Sequence, residues 1–278
     1  MKKMANLISG QLPTSSTKKI DAQEYAQRRI DVLNSTPGKL KNIDCPICRN
    51  KGVVYSLDPD GYEVCRACEC MPARRSWQQI ERSGLKDVMK RYTLDTYQIT
   101  QSWQETIAKG ALEYCKKPEG WFFVGGRPGS GKTHICTAIV GQMLKDGKSA
   151  LYVPWKKESA KLKSVLNDPE YTERMTQLEE TDVLYIDDFF RTGTNADGNK
   201  TLPTQGDINL AYEIINNRYN GSGITIISSE LRISEILRID EAIGSRILER
   251  SKGHLYSMGT GDHITNMRLE GDNHHEKN

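Results

Sequence analysis

The segment GRPGSGKT, Gly126 to Thr133, constrains this chain more than any other stretch, because it demands a strand in front of it and a helix behind. It fits the pattern G-x-x-x-x-G-K-[ST], and both neighbours are legible: the apolar run WFFV at 121–124 and a helical pattern from about Lys132. Glycines at 126, 129 and 131 let backbone N–H groups turn inward onto phosphate oxygens, with Arg127, Pro128 and Ser130 completing the loop. The N-terminus of the following helix adds its positive end. In such a loop Lys132 neutralises the β and γ phosphates and the Thr133 hydroxyl ligates Mg²⁺, so ATP and Mg²⁺ are the expected cofactors.

Apolar, strand-like runs recur between helical stretches after this point: ALYV at 150–153, VLYI at 183–186, ITII at 224–227 and a weaker HLYS at 254–257. Strands alternating with helices predict an α/β fold with a parallel sheet covered on both faces, the setting a phosphate-binding loop requires. The run VLYI ends in Asp187 and Asp188, at the carboxyl end of a strand, where ligands of an open parallel sheet gather. Asp187 is the expected Mg²⁺ partner together with Thr133, and Asp188 the expected base or water-orienting group.

Organisation follows from composition along the chain. Residues 1–40 read as a flexible polar lead, to about residue 20, and a short helix that starts near Asp21 and stops before Thr36-Pro37-Gly38. Residues 41–84 read as a cysteine module with a basic helical connector carrying Arg74, Arg75 and Arg82, and Lys86 follows it. Residues 85–260 read as the nucleotide-binding domain and 261–278 as a tail. The net charge of +3 in 278 residues announces no general affinity for nucleic acid, so any such contact must come from a local patch. No apolar stretch has the length of a membrane span or a secretory signal core, and a cytoplasmic protein with no membrane partner is expected.

Five of the seven cysteines fall between residues 45 and 70, as Cys45-Pro-Ile-Cys48 and Cys65-Arg-Ala-Cys68-Glu-Cys70. Paired thiolates at C-x-x-C spacing hold one edge of a tetrahedral Zn²⁺, and two pairs close a structural site. Four of the five can bind. Cys45 and Cys48 form one pair, and on the usual two-residue spacing the other is Cys65 with Cys68; a redox role is the competing reading. Cys115 and Cys136 read as buried thiols within helical patterns.

Between the second and third strands, Lys156, Lys157, Lys161 and Lys163 crowd one short helix beside Trp155. Lysines that track a phosphate backbone beside an aromatic that stacks a base would suit single-stranded DNA, and a solvated helix explains the same residues. Arg218 and Tyr219 read as the end of an amphipathic helix, with the arginine a favourable charge near its C-terminus.

Taken in order, SGLKDVMKRYTLDTY (83–97), GRPGSGKT, VLYIDDFF, IINNRY (214–219), ITIISSE (224–230) and AIGSRILER (242–250) resemble the helicase loaders of bacteria and phages, the DnaC/DnaI type, within the AAA+ superfamily. The resemblance covers most of the chain. It implies an AAA+ P-loop NTPase preceded by a small zinc-binding module, and the C-x-C turn of that family is the basis for pairing Cys68 with Cys70. It implies an ATPase that hands a hexameric replicative helicase to single-stranded DNA during replication, with the N-terminal region gripping the helicase. Arg246 occupies the place of the arginine finger, which reaches a nucleotide held by a neighbouring copy, so self-association is implied; Arg250 is a second candidate. Where these ATPases commonly place a γ-phosphate-sensing Asn, this chain has Ser228-Ser229-Glu230, and Arg268 is the nearest candidate for a C-terminal sensor arginine. Competing readings are a transposition helper ATPase and a zinc-centred adaptor that binds nucleotide without productive turnover.

Overall fold

The computed structural model of the chain describes residues 22–82, 85–193 and 201–258. The lead before Asp21 and that residue's capping role, the break at Gly84, Arg268, the tail from 261 and the side chains of Arg82 and Lys86 lie outside the described residues. The chain divides into two compact units, one ending at Cys68 and one beginning at Glu69.

In the first unit, α1 (Ala22–Ser35) is followed by an antiparallel hairpin, β1 (Val53–Leu57) and β2 (Glu63–Ala67), with Tyr55 opposite Cys65. The Asn34 side chain donates to Tyr55 O at 2.8 Å and accepts from Tyr55 N at 3.1 Å, which fastens the helix to the hairpin. The hairpin was not legible in sequence, because its two strands are mostly half-buried or exposed and show no apolar alternation.

The second unit opens with α2 (Met71–Arg82), α3 (Leu85–Arg91) and α4 (Ser102–Lys116). It continues with β3 (Phe122–Gly125), α5 (Lys132–Lys145), β4 (Ala150–Pro154), α6 (Trp155–Ser164), α7 (Pro169–Glu180) and β5 (Val183–Phe189). It closes with α8 (Gln205–Asn220), β6 (Ile224–Ser229), α9 (Ile233–Ile239), α10 (Glu241–Arg250) and β7 (Leu255–Ser257). The five strands β3 to β7 form one parallel sheet in the order β4-β5-β6-β3-β7, as the recurring apolar runs predict.

Alternation along the strands builds two cores. Phe122, Val124, Val183, Tyr185 and Ile226 face the side packed with Ile107 and Tyr114 of α4 and Ile135 and Ile139 of α5. Trp121, Phe123, Leu184, Ile186 and Ile227 face the side packed with Leu162, Leu178, Ile214 and Ile247 of α6, α7, α8 and α10. Successive residues on a strand point to opposite faces, so both faces are buried and the strands read as nearly continuous apolar runs. Because β3 sits between β6 and β7 while the chain leaving it crosses to β4 at the far edge, a crevice opens beyond its carboxyl end.

The helix read from sequence as a connector belongs to this second unit. Ile80, Leu85 and Met89 join the first core, and the Ser76 hydroxyl accepts from Ala150 N at 3.0 Å. Arg74 is buried, its Nε donating to Cys70 Sγ at 3.3 Å, so it is not free linker charge.

Candidate functional site

The crevice beyond β3 is an open cleft of about 200 Å³ lined by the loop from Pro128 to Thr133 together with Tyr92, His134, Asp188, Arg191 and Glu230. Gly129 and Gly131 have φ of 78° and 80°, backbone conformations that a side chain would strain, and they turn the loop so that α5 starts at Lys132. Lys132 is buried, and its Nζ donates to Gly126 O at 2.8 Å and Arg127 O at 2.7 Å. Its ammonium thus lies folded over the mouth of the loop it serves.

Asp187 is placed by strand alternation on the α5 side of the sheet, two residues after Tyr185. It accepts four hydroxyls: Thr133 Oγ1 at 3.3 Å, Tyr185 at 2.8 Å, Ser228 at 2.5 Å and Tyr152 at 3.0 Å. The sequence reading brought Thr133 and Asp187 together, and the structure places them side by side. One neutral and one anionic oxygen at the foot of a phosphate loop suit Mg²⁺, which takes few protein ligands and keeps much of its water. The three other hydroxyls were missed. Tyr185 could have been found by its i−2 spacing to Asp187; Tyr152 and Ser228 come from neighbouring strands and carry no local signal.

Asp188 turns the other way, with φ of 54°, into the cleft. Its N–H donates to Ser228 Oγ at 3.0 Å, and its carboxylate pairs with Arg191, three residues on. Ser228 thus bridges both aspartates, in the stretch where the resemblance leads one to expect an Asn. Glu230 lies 4.0 Å from Arg191 Nε at the rim. At the opposite wall His134 stacks on Tyr92, with ring centroids 4.4 Å apart and planes 11° apart, and meets Tyr97 edge-on. Its Nε2 donates to Thr93 O at 3.0 Å, and burial pushes its pKa below the usual histidine value.

Arg246 does not line this cleft. It lies on α10 over the rings of Tyr212 and Tyr219 of α8, at 5.2 and 5.5 Å, with Nη1 donating to Ala242 O at 2.9 Å. Arg250 lies over Trp121 and donates to Gly221 O at 3.2 Å.

Two expectations are corrected. Trp155 is buried against Phe189 and Phe190, so it offers no face to a base; the apolar second core captured it. Of the lysines beside it, Lys161 pairs with Glu170 and Lys163 with Asp207, while Lys156 and Lys157 are exposed. Arg218 is no surface charge at a helix end: it is 1% exposed and donates to Thr225 Oγ1 and to the carbonyls of Leu178, Glu179, Thr181 and Ile224.

In the cysteine region, the sulfurs of Cys45, Cys48, Cys68 and Cys70 all lie within 4.8 Å of one another and all four residues are buried. Cys45 and Cys68 Sγ are 3.7 Å apart, close to the edge of about 3.8 Å that a tetrahedron with metal–sulfur bonds of about 2.3 Å requires. Gly52 N donates to Cys48 Sγ at 3.3 Å, a bond that steadies a thiolate. The donor set fits Zn²⁺. Cys65 is exposed on β2 and stands outside the cluster, so the second pair is Cys68–Cys70, as the resemblance implied, and not the Cys65–Cys68 pair of the usual spacing.

Residues 71–269 match the profile of the family described as IstB-like ATP binding protein, nearly three quarters of the chain. The chain belongs to this family. Among relatives of this IstB-like ATP-binding protein, the phage-like element PBSX protein XkdC of Bacillus subtilis (strain 168) is 27% identical over 265 residues, covering 89% of this chain and 95% of the relative. The replicative helicase loader DnaC of Escherichia coli (strain K12) is 22% identical over 185 residues, 65% of this chain and 71% of that one. The crystal structure of the DnaC helicase loader superposes with a TM-score of 0.50 at 23% identity, covering 58% of this chain and 94% of that one. The fold that the resemblance implies, a parallel sheet between helices with a phosphate-binding loop, is thus shared with that loader. No helix among the described residues is long and apolar enough to cross a membrane.

Proposed function

We propose that this chain is a cytoplasmic, ATP-fuelled loader that delivers a hexameric replicative helicase onto single-stranded DNA. The observation that carries the reading is the convergence of Thr133, Asp187 and Asp188 at the mouth of the 126–133 loop. With MgATP bound, Lys132 exchanges the carbonyls of Gly126 and Arg127 for phosphate oxygens, and Thr133 and Asp187 hold Mg²⁺, which neutralises phosphate charge there. Asp188 orients the attacking water and takes up its proton. Arg246 of one copy completes the site of the next, so turnover rises with self-association. Cys45, Cys48, Cys68 and Cys70 hold a structural Zn²⁺ that shapes the N-terminal unit into the grip on the helicase. Lys156 and Lys157 contact the DNA backbone.

A second reading, consistent with membership of the IstB-like ATP-binding family, is a transposition helper acting on duplex DNA. The two separate experimentally. A loader is retained by an immobilised replicative helicase in the presence of ATP and prefers single-stranded to duplex DNA. Its Asp188→Asn variant keeps nucleotide binding but loses turnover by about a hundredfold or more. Failure of helicase retention together with a preference for duplex DNA would sink the loader reading and support the second.

A further inference from the structure

Arg191 lines the cleft and no motif accounts for it. Its backbone is held firmly: Arg191 N donates to Asp188 O at 2.8 Å across a turn in which Asp188 and Phe190 both have left-handed φ, 54° and 58°. Phe189 and Phe190 anchor that turn in the second core, stacked 4.2 Å apart. The side chain is not held in the same way. It is 49% exposed and reaches across the cleft rim to the Asp188 carboxylate, with Glu230 at 4.0 Å.

Among the described residues lining the cleft, the cations are Lys132 and Arg191 and the carboxylates are Asp188 and Glu230. Lys132 sits at the loop itself. On the side of a third phosphate that faces away from the loop, the cleft therefore presents two carboxylates and one guanidinium. Lys132 and Mg²⁺ would neutralise the phosphates from the loop side, while on this side the two carboxylates repel a third phosphate unless the guanidinium compensates them, and a diphosphate does not extend as far. A guanidinium on a pinned backbone, paired in a half-exposed position, can exchange one oxyanion partner for another at small net cost, because exposed ion pairs contribute little.

We propose that Arg191 distinguishes nucleoside triphosphate from diphosphate in this cleft: it swings from Asp188 to the γ-phosphate, and in doing so leaves Asp188 to the attacking water. The inference rests on the nucleotide reading above and adds a γ-phosphate contact supplied in cis, separate from any arginine of a neighbouring copy. Before ATP arrives, the same residue keeps the base occupied.

The test is equilibrium titration of the full chain, with Mg²⁺, by ADP and by a non-hydrolysable ATP analogue, for the native protein, Arg191→Ala and Arg191→Lys. The side chain is half exposed, so the variants are expected to fold, and thermal melts check this. The proposal expects Arg191→Ala to weaken the ATP analogue on the order of tenfold or more while ADP affinity stays level, with partial rescue by lysine. An unchanged ratio of the two affinities in Arg191→Ala overturns it, including the case where turnover changes, since that would make Arg191 only a partner of Asp188. Absence of binding by either ligand to the native protein is a different result, which removes the nucleotide site and this proposal with it.

Discussion

Four hydroxyls from α5, β4, β5 and β6 converge on the Asp187 carboxylate, and only one of them, Thr133, belongs to the phosphate-loop motif. A network of this kind holds the carboxylate in one orientation before any metal arrives, and each member depends on the others for its own partner. Across the cleft, His134 is held neutral by burial between Tyr92 and Tyr97. Its folded pKa lies below the unfolded value of about 6.5, so between the two the unfolded chain binds more protons. The stability contributed by neutral His134 is thus fully present above the unfolded pKa and is lost as the pH falls from there through the folded pKa. Thermal melts from pH 7.5 down to 5.5 are expected to show a steeper loss of Tm in the native protein than in His134→Gln. Equal slopes would contradict the assignment.

At the scale of elements, Arg218 ties α8 to β6 and to the C-terminal carbonyls of α7. Burial lowers its pKa to about 10, still far above neutrality, so the guanidinium stays charged where it is. Arg218→Met would fill the volume but leave several buried acceptors without donors, each costing about 1–3 kcal/mol. A loss of about 3 kcal/mol or more in chemical denaturation is expected, with the cleft residues themselves untouched. The hairpin of β1 and β2 is the opposite case, a small element with little apolar surface whose folding free energy would come largely from a metal held by the four cysteines. Cys70→Ser is therefore expected to lose stoichiometric zinc, and Cys65→Ser to retain it, as read by metal analysis of purified protein. Zinc lost from both, or from Cys65→Ser alone, would point to a different ligand set.

For the whole molecule, what was legible was what repeats or is local. Five apolar runs gave all five strands of the parallel sheet, since a sheet buried on both faces writes itself as unbroken hydrophobic stretches. The loop from 126 to 133 and the Asp187–Asp188 pair were legible because one short segment carries each. Tyr152 and Ser228 were not, since they reach Asp187 only after strands 35 and 41 residues apart in sequence pair in register. Trp155 was misread for the related reason that a helix beside a strand end shows the same residues whether its aromatic faces solvent or core. The central claim is that the loop around Lys132 and the acidic pair at 187 and 188 serve one Mg-nucleotide. Calorimetric titration of the full chain with ATP, with and without Mg²⁺, tests it most directly. The account predicts saturable binding that Mg²⁺ strengthens, weakened about 10–100-fold in Lys132→Ala and stripped of its Mg²⁺ dependence in Asp187→Asn. Binding that ignores both substitutions, or no binding at all, would contradict it.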